Sequence, residues 1–261
     1  MLNIDKRKKL TLHDKVFFEL CSTLSIDATH TEYTKFSKAC DLVNQAYFKI
    51  AIKEFAYIKA NNPSKTIPSE FDFLMSLYNK HIKEHQAMFL LFNIFETAIR
   101  SKAAIVLSEK YSSCNEDNWL HDDSLTPSKM LHILHKAKGI IGEDHEEINT
   151  MDTFQIFDYI LLGGLKTLYI DFWGDLSHLF EEKTYKGHLL KKLGKKTFTA
   201  MLEAIRKSRN DNAHHKPFHS SRKRRHEIVA DIELILAHLG FNLDDAINNI
   251  DPQHKIIKLM Y

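Results

Sequence analysis

The stretch Phe198-Thr199-Ala200-Met201-Leu202-Glu203-Ala204-Ile205-Arg206-Lys207-Ser208-Arg209-Asn210-Asp211-Asn212-Ala213-His214 decides how this chain is read. Phe198, Leu202 and Ile205 recur at the three- and four-residue spacing of one helix face, and the next turns of that face bring Arg209, then Asn212 and Ala213. The apolar stripe therefore runs into a permanent cation. A guanidinium turned inward needs a carboxylate, a carbonyl, a partner subunit or an anionic ligand, because an unpaired buried charge is far too costly. Lys216-Pro217 follows, and proline inside a helix costs about 3 kcal/mol, so the spacing predicts that the helix ends near His215. On a regular helix five residues at about 100° each leave Arg209 and His214 roughly 140° apart. The two side chains converge on one substrate only if the helix unwinds between them or a second copy of the chain supplies half of the site.

Helical periodicity extends outward from this stretch to both ends, with no clean period-2 run of strand length, and the fold class predicted is all-α. Phe36, Cys40, Val43, Ala46, Tyr47, Ile50, Ala51 and Phe55 form one stripe, which predicts one long helix or two short ones over 33–59. Residues 61–68, Asn-Asn-Pro-Ser-Lys-Thr-Ile-Pro, read as a linker, and Ser69 with Asp72 reads as a capping box opening the next helix. That helix would run from Phe71 to about Lys110. Its length favours a break near Lys80 to His85. A loop over 111–127, a helix from Pro127-Ser128 to about Lys138 and an acidic connector over 140–150 follow. The aromatic and apolar segment 153–182 is expected to be interrupted at Gly163-Gly164, and the last helices to span about 195–214 and 223–239, with Gly240 as a C-terminal cap. This divides the chain into an N-terminal helical extension (1–62), a helical domain (69–245) and a C-terminal tail (246–261).

Composition narrows the classes. At 261 residues with 44% hydrophobic side chains, 8 Gly and 5 Pro, the chain has the length and apolar content for a substantial core. Cys21, Cys40 and Cys114 are odd in number and lack metal-like spacing, which fits free thiols in a reducing cytoplasm. The basic start MLNIDKRKKL is not followed by an apolar run, and Ala87 to Phe95 falls far short of the roughly 20 residues that span a bilayer, so neither secretion nor membrane insertion is expected. Net charge is only +2, yet Arg222-Lys223-Arg224-Arg225 is a dense cationic block beside the Arg209/His214 stretch. It is either a solvated helix face or a grip on a polyanion, and four cations on a first helical turn oppose the helix dipole.

Arginine and asparagine followed by histidine after four intervening residues from the arginine, at the end of a helix in an all-helical chain, resembles the R-x(4-6)-H signature of the HEPN superfamily. Within it the chain resembles the abortive-infection (Abi)-like proteins of bacteria, which act in phage defence or as toxins. Three segments carry the resemblance: Leu77-Tyr78 with Phe95-Glu96-Thr97-Ala98-Ile99-Arg100, then Phe172-Trp173-Gly174-Asp175-Leu176, then Arg209-Asn210 through His214-His215. They cover roughly residues 70–240, and Tyr169-Ile170-Asp171 departs from the glycine-containing approach typical of that family. The resemblance implies a HEPN-type helical bundle with an additional N-terminal helical segment. It also implies a homodimeric, metal-independent endoribonuclease, without cofactor, whose site is assembled from two copies of the motif at a dimer interface. An antitoxin or other regulatory partner is possible for such a protein, although Lys216 stands where some relatives carry a tyrosine that is adenylylated.

The residue types suit that chemistry independently. Metal-free RNA cleavage needs a base for the 2′-hydroxyl, an acid for the leaving 5′-oxygen and a cation for charge growing on phosphorus. Histidine serves either proton role, and arginine presents a planar fork matched to phosphate. The candidate catalytic residues are Arg209, His214, Asn210 and Glu96, and the candidate RNA-binding residues are Arg222, Lys223, Arg224, Arg225 and His215. Glu96, on an otherwise apolar helix, either holds Arg209 by a bidentate pair or pairs locally with Arg100. His214, His215, His219 and His226 invite a metal reading, but Pro217 interrupts the His215/His219 spacing and no metal is expected. Trp173 is expected to pack in the core. Three readings stay open. An enzyme would bring Arg209 and His214 to a basic cleft, a silent RNA- or nucleotide-binding scaffold would turn His214 into the core, and a purely structural motif would bury Arg209 on Glu96 with no cleft.

Overall fold

The computed structural model describes residues 11–64, 66–113, 116–141, 150–217, 222–248, 251, 253 and 256–260. The basic start, most of the acidic connector, Cys114 and His219 lie outside the described residues, as do the side chains of Ile141 and Arg222. Eleven α-helices form among the described residues: α1 Leu12–Leu24, α2 Tyr33–Leu42, α3 Gln45–Asn61, α4 Glu70–Tyr111, α5 Ser128–Ile141, α6 Thr153–Asp158, α7 Leu162–Asp171, α8 Trp173–Leu176, α9 Lys195–Ala213, α10 Arg222–His238 and α11 Leu243–Ile247. The class is all-α. No helix among the described residues is long and apolar enough to cross a membrane. The chain forms two compact units, one from the described residues of Met1–Gln86 with Asp211–Phe218, the other from Ala87–Asn210 with His219–Tyr261.

The first unit packs α1, α2, α3 and the start of α4 around Leu20, Phe36, Phe48, Phe55 and Leu74, all fully buried. Caps set its helix starts. The α1 capping box closes with Asp14 N–H donating to Thr11 Oγ1 at 3.1 Å and Thr11 N–H to Asp14 Oδ2 at 2.9 Å. The stripe over 33–59 becomes two helices because Val43 turns extended and Asn44 Oδ1 accepts the Ala46 and Tyr47 amides at 3.1 and 3.3 Å. Each such cap stabilises by about 1 kcal/mol. Ser69 caps Asp72 N–H at 3.1 Å as expected, and the buttress comes from another helix start: Glu32 accepts the Ser69 hydroxyl at 2.7 Å and the Phe71 amide at 3.0 Å. The expected break near residues 80–85 does not occur. The segment 70–111 contains neither Gly nor Pro, and length alone does not interrupt a helix. Cys21 and Cys40 are buried free thiols, and burial pushes that of Cys40 up to about 12.

In the second unit a cluster of aromatic rings packs within a largely aliphatic core. Phe180 and Phe198 meet at 4.5 Å between ring centroids, Tyr169 lies 5.2 Å from Phe198, and Trp173 stacks on Phe180 at 5.6 Å. Trp173 packs against the core rings of Phe180 and Phe198 but stays half-buried, at the edge of the core in which it was expected. Two buried polar tips find partners: Tyr169 donates to the Ile99 carbonyl at 2.8 Å, and Trp119 Nε1 to Thr153 Oγ1 at 2.8 Å. Asp175 accepts from Lys110, from Tyr111 Oη at 2.8 Å and from Lys129 at 3.3 Å, which gathers α4, α5 and α8.

Three local expectations are corrected in this unit. A short antiparallel hairpin, β1 Lys183–Tyr185 and β2 His188–Leu190, pairs Lys183 with Leu190 and Tyr185 with His188. Its two-residue turn puts Lys186 and Gly187 at φ 47° and 81°, as a type I′ turn requires. The interruption expected at Gly163-Gly164 falls instead at 159–161, and the two glycines form the first turn of α7. A Cβ on Gly164 would approach Ile160 Cγ2 to 2.8 Å, so close packing accounts for that glycine. Helix α5 runs on to Ile141. At Gly240, φ is 76°, and the Gly240 and Phe241 amides return to the Ala237 and Leu236 carbonyls at 3.0 and 2.9 Å, the C-terminal cap expected there.

Candidate functional site

Arg209 and Asn210 belong to the second unit, and Asp211 to His215 to the first. In the second unit α4 presents Glu96 on its apolar face, 6% exposed. Glu96 Oε2 lies 3.2 Å from Arg209 Nε, and Oε1 lies 3.0 Å from an Arg100 terminal nitrogen. Glu96 contacts both arginines, with one oxygen for each, so the local pair with Arg100 is present and the contact with Arg209 is single in place of the bidentate fork expected. Arg100 also approaches the Ile160 carbonyl at 3.4 Å and the exposed Asp158 at 3.8 Å.

Arg209 remains about one-third exposed and, with Asn210, lines a cavity of about 660 Å³ bounded by α5, the 159–161 connection, the first turn of α7, and α9. His132, Lys136 and Arg206 line the same space, and among the described residues no Asp or Glu does. Glu203 lies alongside, on α9, where Arg206 grips it at 2.8 and 2.9 Å and Lys166 at 2.8 Å. Arg206 first, then Lys166, hold its carboxyl down to about 2. One anion thus serves several cations at two places along the helix, at Glu96 and at Glu203.

The first unit holds the histidine end of the motif. Helix α9 stops at Ala213 in a Schellman turn: His215 adopts φ 52°, its amide returns to the Asn212 carbonyl at 2.9 Å, and the Lys216 amide returns to the Asp211 carbonyl at 2.9 Å. His214 and His215 are both exposed on this turn. Beneath it Asn212 is buried, with Nδ2 3.2 Å from the His85 carbonyl and 3.0 Å from His85 Nδ1. Tyr47 Oη stands 2.7 Å from the same Nδ1 and 3.1 Å from the Lys216 carbonyl, and the His215 ring lies 5.3 Å from that of His85. Burial, then the neighbouring His215, press the His85 pKa below its ordinary value, and burial pushes Tyr47 up to about 12.

Lys223 and Arg224 are exposed and Arg225 half-buried on the first turn of α10, where Arg224 pairs with Glu227 at 3.2 Å. Sequence reasoning named Arg100 as a local partner of Glu96 and missed Lys136 and Arg206 at the cavity and Tyr47 and His85 beneath the turn. Tyr47 and His85 are remote in sequence from the motif and carried no signal. Among the described residues no group of three or more His, Cys, Asp and Glu side chains is placed to hold a metal ion. Compared with protein-family models, with curated proteins and with solved structures, the chain matches none.

Proposed function

We propose that this protein is a HEPN-type endoribonuclease that cleaves RNA without a metal ion and acts in phage defence or as a toxin. One observation carries the reading: Arg209 is fixed through Nε by the buried Glu96 while it lines a cavity whose described lining includes Lys136 and Arg206 and no carboxylate. A purely structural motif would close that space, and a silent scaffold would turn His214 inward, whereas His214 is exposed at the helix end.

In the reaction a histidine takes the 2′-hydroxyl proton and the 2′-oxygen bonds to phosphorus. The P–O5′ bond breaks, and a second proton carrier supplies the leaving 5′-oxygen, giving a 2′,3′-cyclic phosphate and a 5′-hydroxyl. Arg209 stabilises the charge that grows on the phosphoryl oxygens, and Asn210 adds a neutral donor beside it. Arg209 lies within α9 and His214 on the turn just past its end, and in this reading a second copy of the chain contributes the complementary half of each site. RNA is the substrate, with Lys223, Arg224, Arg225 and His215 contacting its backbone, and the protein works in the cytoplasm.

The test is incubation of the purified protein with RNA in EDTA. Wild type is expected to cleave, and Arg209→Ala and His214→Ala each to lose at least about 10²-fold, the scale of one acid-base contribution. Arg209→Ala should stay folded because Arg100 still neutralises Glu96. Equal cleavage by mutant and wild type, or cleavage only with added divalent metal, overturns the mechanism. Light scattering at micromolar concentration checks the dimer, and a monomer that still cleaves refutes the shared site.

A further inference from the structure

The cavity at Arg209 holds more than the cleavage chemistry uses. Its wall opposite α9 is the first turn of α7, a ten-residue helix whose N-cap, Leu161, makes no side-chain hydrogen bond. Leu162, Gly163 and Gly164 line the space, so orphan backbone amides of that turn border it, and a Cβ on Gly163 would meet nothing within 4 Å. The electrostatics agree with this geometry independently. Glu96 is shared by Arg100 and Arg209, and Glu203 by Lys166, Arg206 and, at 3.6 Å, Lys207. Lys136 adds to the cationic side, and Asp158, which approaches Arg100 at 3.8 Å, is exposed. Ile133, Ala137, Ile140 and Leu161 give the lining an apolar side, with Tyr159 and Thr167 also among the lining residues.

We infer that this cavity is a binding site for a single nucleotide unit, with its phosphate between Arg209 and the α7 N-terminus and its base in the apolar lobe beside Tyr159. Cations and helix-end amides suit a phosphate, and an apolar lobe suits a flat heterocycle. A volume of about 660 Å³ holds a mononucleotide and leaves room for a flanking phosphate. A bare phosphate would leave the apolar lobe unused. As the seat for the nucleotide flanking the scissile bond the site rests on the proposed ribonuclease function; as a nucleotide site it does not.

The experiment is isothermal titration calorimetry of the full chain with nucleoside 5′-monophosphates, inorganic phosphate, free nucleosides and a 2′-O-methyl oligoribonucleotide that cannot be cleaved. Mononucleotides are expected to bind at least about tenfold more tightly than phosphate or nucleoside, since each of those fills half of the site. The decisive variant is Gly163→Asp, which puts a carboxylate where the phosphate would sit. An acid in the first turn favours helix α7, so the protein should keep its melting temperature while losing at least about tenfold in nucleotide affinity. Gly163→Ala should bind as wild type. Parallel weakening of the oligonucleotide assigns the site to a unit within an RNA chain, and weakening of mononucleotides alone assigns it to a free nucleotide. Wild-type affinity in Gly163→Asp, or phosphate binding as tightly as nucleotide, overturns the inference, as does RNA cleavage by a protein that binds no mononucleotide. Nucleotide binding without RNA cleavage supports the site and overturns the ribonuclease reading.

Discussion

Arg209 Nε stands 3.2 Å from Oε2 of Glu96, a carboxylate 6% exposed whose other oxygen is taken by Arg100. The arrangement is asymmetric. Deleting Arg209 leaves Glu96 neutralised, whereas neutralising Glu96 leaves two guanidinium groups facing each other. Glu96→Gln is therefore expected to destabilise by about 3 kcal/mol, the low end for breaking a buried pair because Arg209 is partly hydrated, and by more than Arg209→Ala. Urea denaturation of both mutants checks the order, and adding Arg209→Gln to Glu96→Gln should cost less than Arg209→Gln alone. Equal losses would place Glu96 outside the arginine network.

One turn apart on α4, His81 and His85 are pushed in opposite directions. Glu84, then Glu54, raise the His81 pKa above its ordinary 6.5, while burial and then His215 lower that of His85 below it. His81 thus contributes stability that is complete below pH 6.5 and is lost as pH rises through its folded pKa. His85 contributes stability that is complete above 6.5 and is lost as pH falls through its folded pKa. NMR titration should show His81 losing its proton at higher pH than His85. His81→Gln should leave a protein whose stability falls more steeply on acidification, since only the opposing histidine remains. Coincident titration of the two rings would show that the surroundings of the two histidines are alike in solution.

How much of this was legible in the sequence follows from the range of each interaction. Phe198, Leu202 and Ile205 announced α9, and Lys216-Pro217 its end, because local spacing and a missing amide act within a few residues. Gly240 was legible for the same reason. The α2–α3 boundary could have been read from Asn44, whose side chain caps two amides. The hairpin hid in strands of three residues, too short for a period-2 pattern to emerge. Gly163-Gly164 misled because glycine was read as a breaker, where Gly164 is needed for contact with Ile160 and Gly163 opens on a cavity. The Arg209–Glu96 pair was within reach, since a charge on an apolar stripe demands a partner and Glu96 stood on another such stripe. Tyr47 was beyond reach. It lies 169 positions from Lys216, and nothing in its own helix pattern distinguishes its hydroxyl from any buried phenol.

That hydroxyl yields the next expectation. Tyr47 Oη joins His85 to the Lys216 carbonyl just past the His214-His215 turn, so Tyr47→Phe removes a buried polar link without changing packing volume. The loss should be about 1–2 kcal/mol, as for a hydrogen bond whose buried partner is left unsatisfied. Hydrogen exchange should show the His215 and Lys216 amides, which close the Schellman turn, losing protection before the α1 and α3 amides do. Unchanged exchange at the turn would mean that helix geometry alone fixes the position of His214.

The cationic start of α10 supplies the last expectation, which stands on the proposed RNA substrate. Lys223 and Arg224 are exposed, and the Arg224–Glu227 pair is a surface i,i+3 interaction worth at most about 1 kcal/mol, so replacing both cations with Ser should leave folding nearly unchanged. If they grip the RNA backbone, the double substitution releases fewer counterions on binding. Affinity should then fall roughly uniformly across RNA sequences, and the slope of log affinity against log salt should flatten by about 0.7 to 1 for each phosphate no longer gripped. Single-turnover cleavage at saturating enzyme should change little, because Arg209 and His214 carry the chemistry. Filter binding between about 50 and 200 mM salt measures the slope, that range being where a few neutralised phosphates change affinity by orders of magnitude. An unchanged slope would return the block to an ordinary solvated helix face. Abolished cleavage with intact binding would move it into the catalytic apparatus, and either result ends this division of labour.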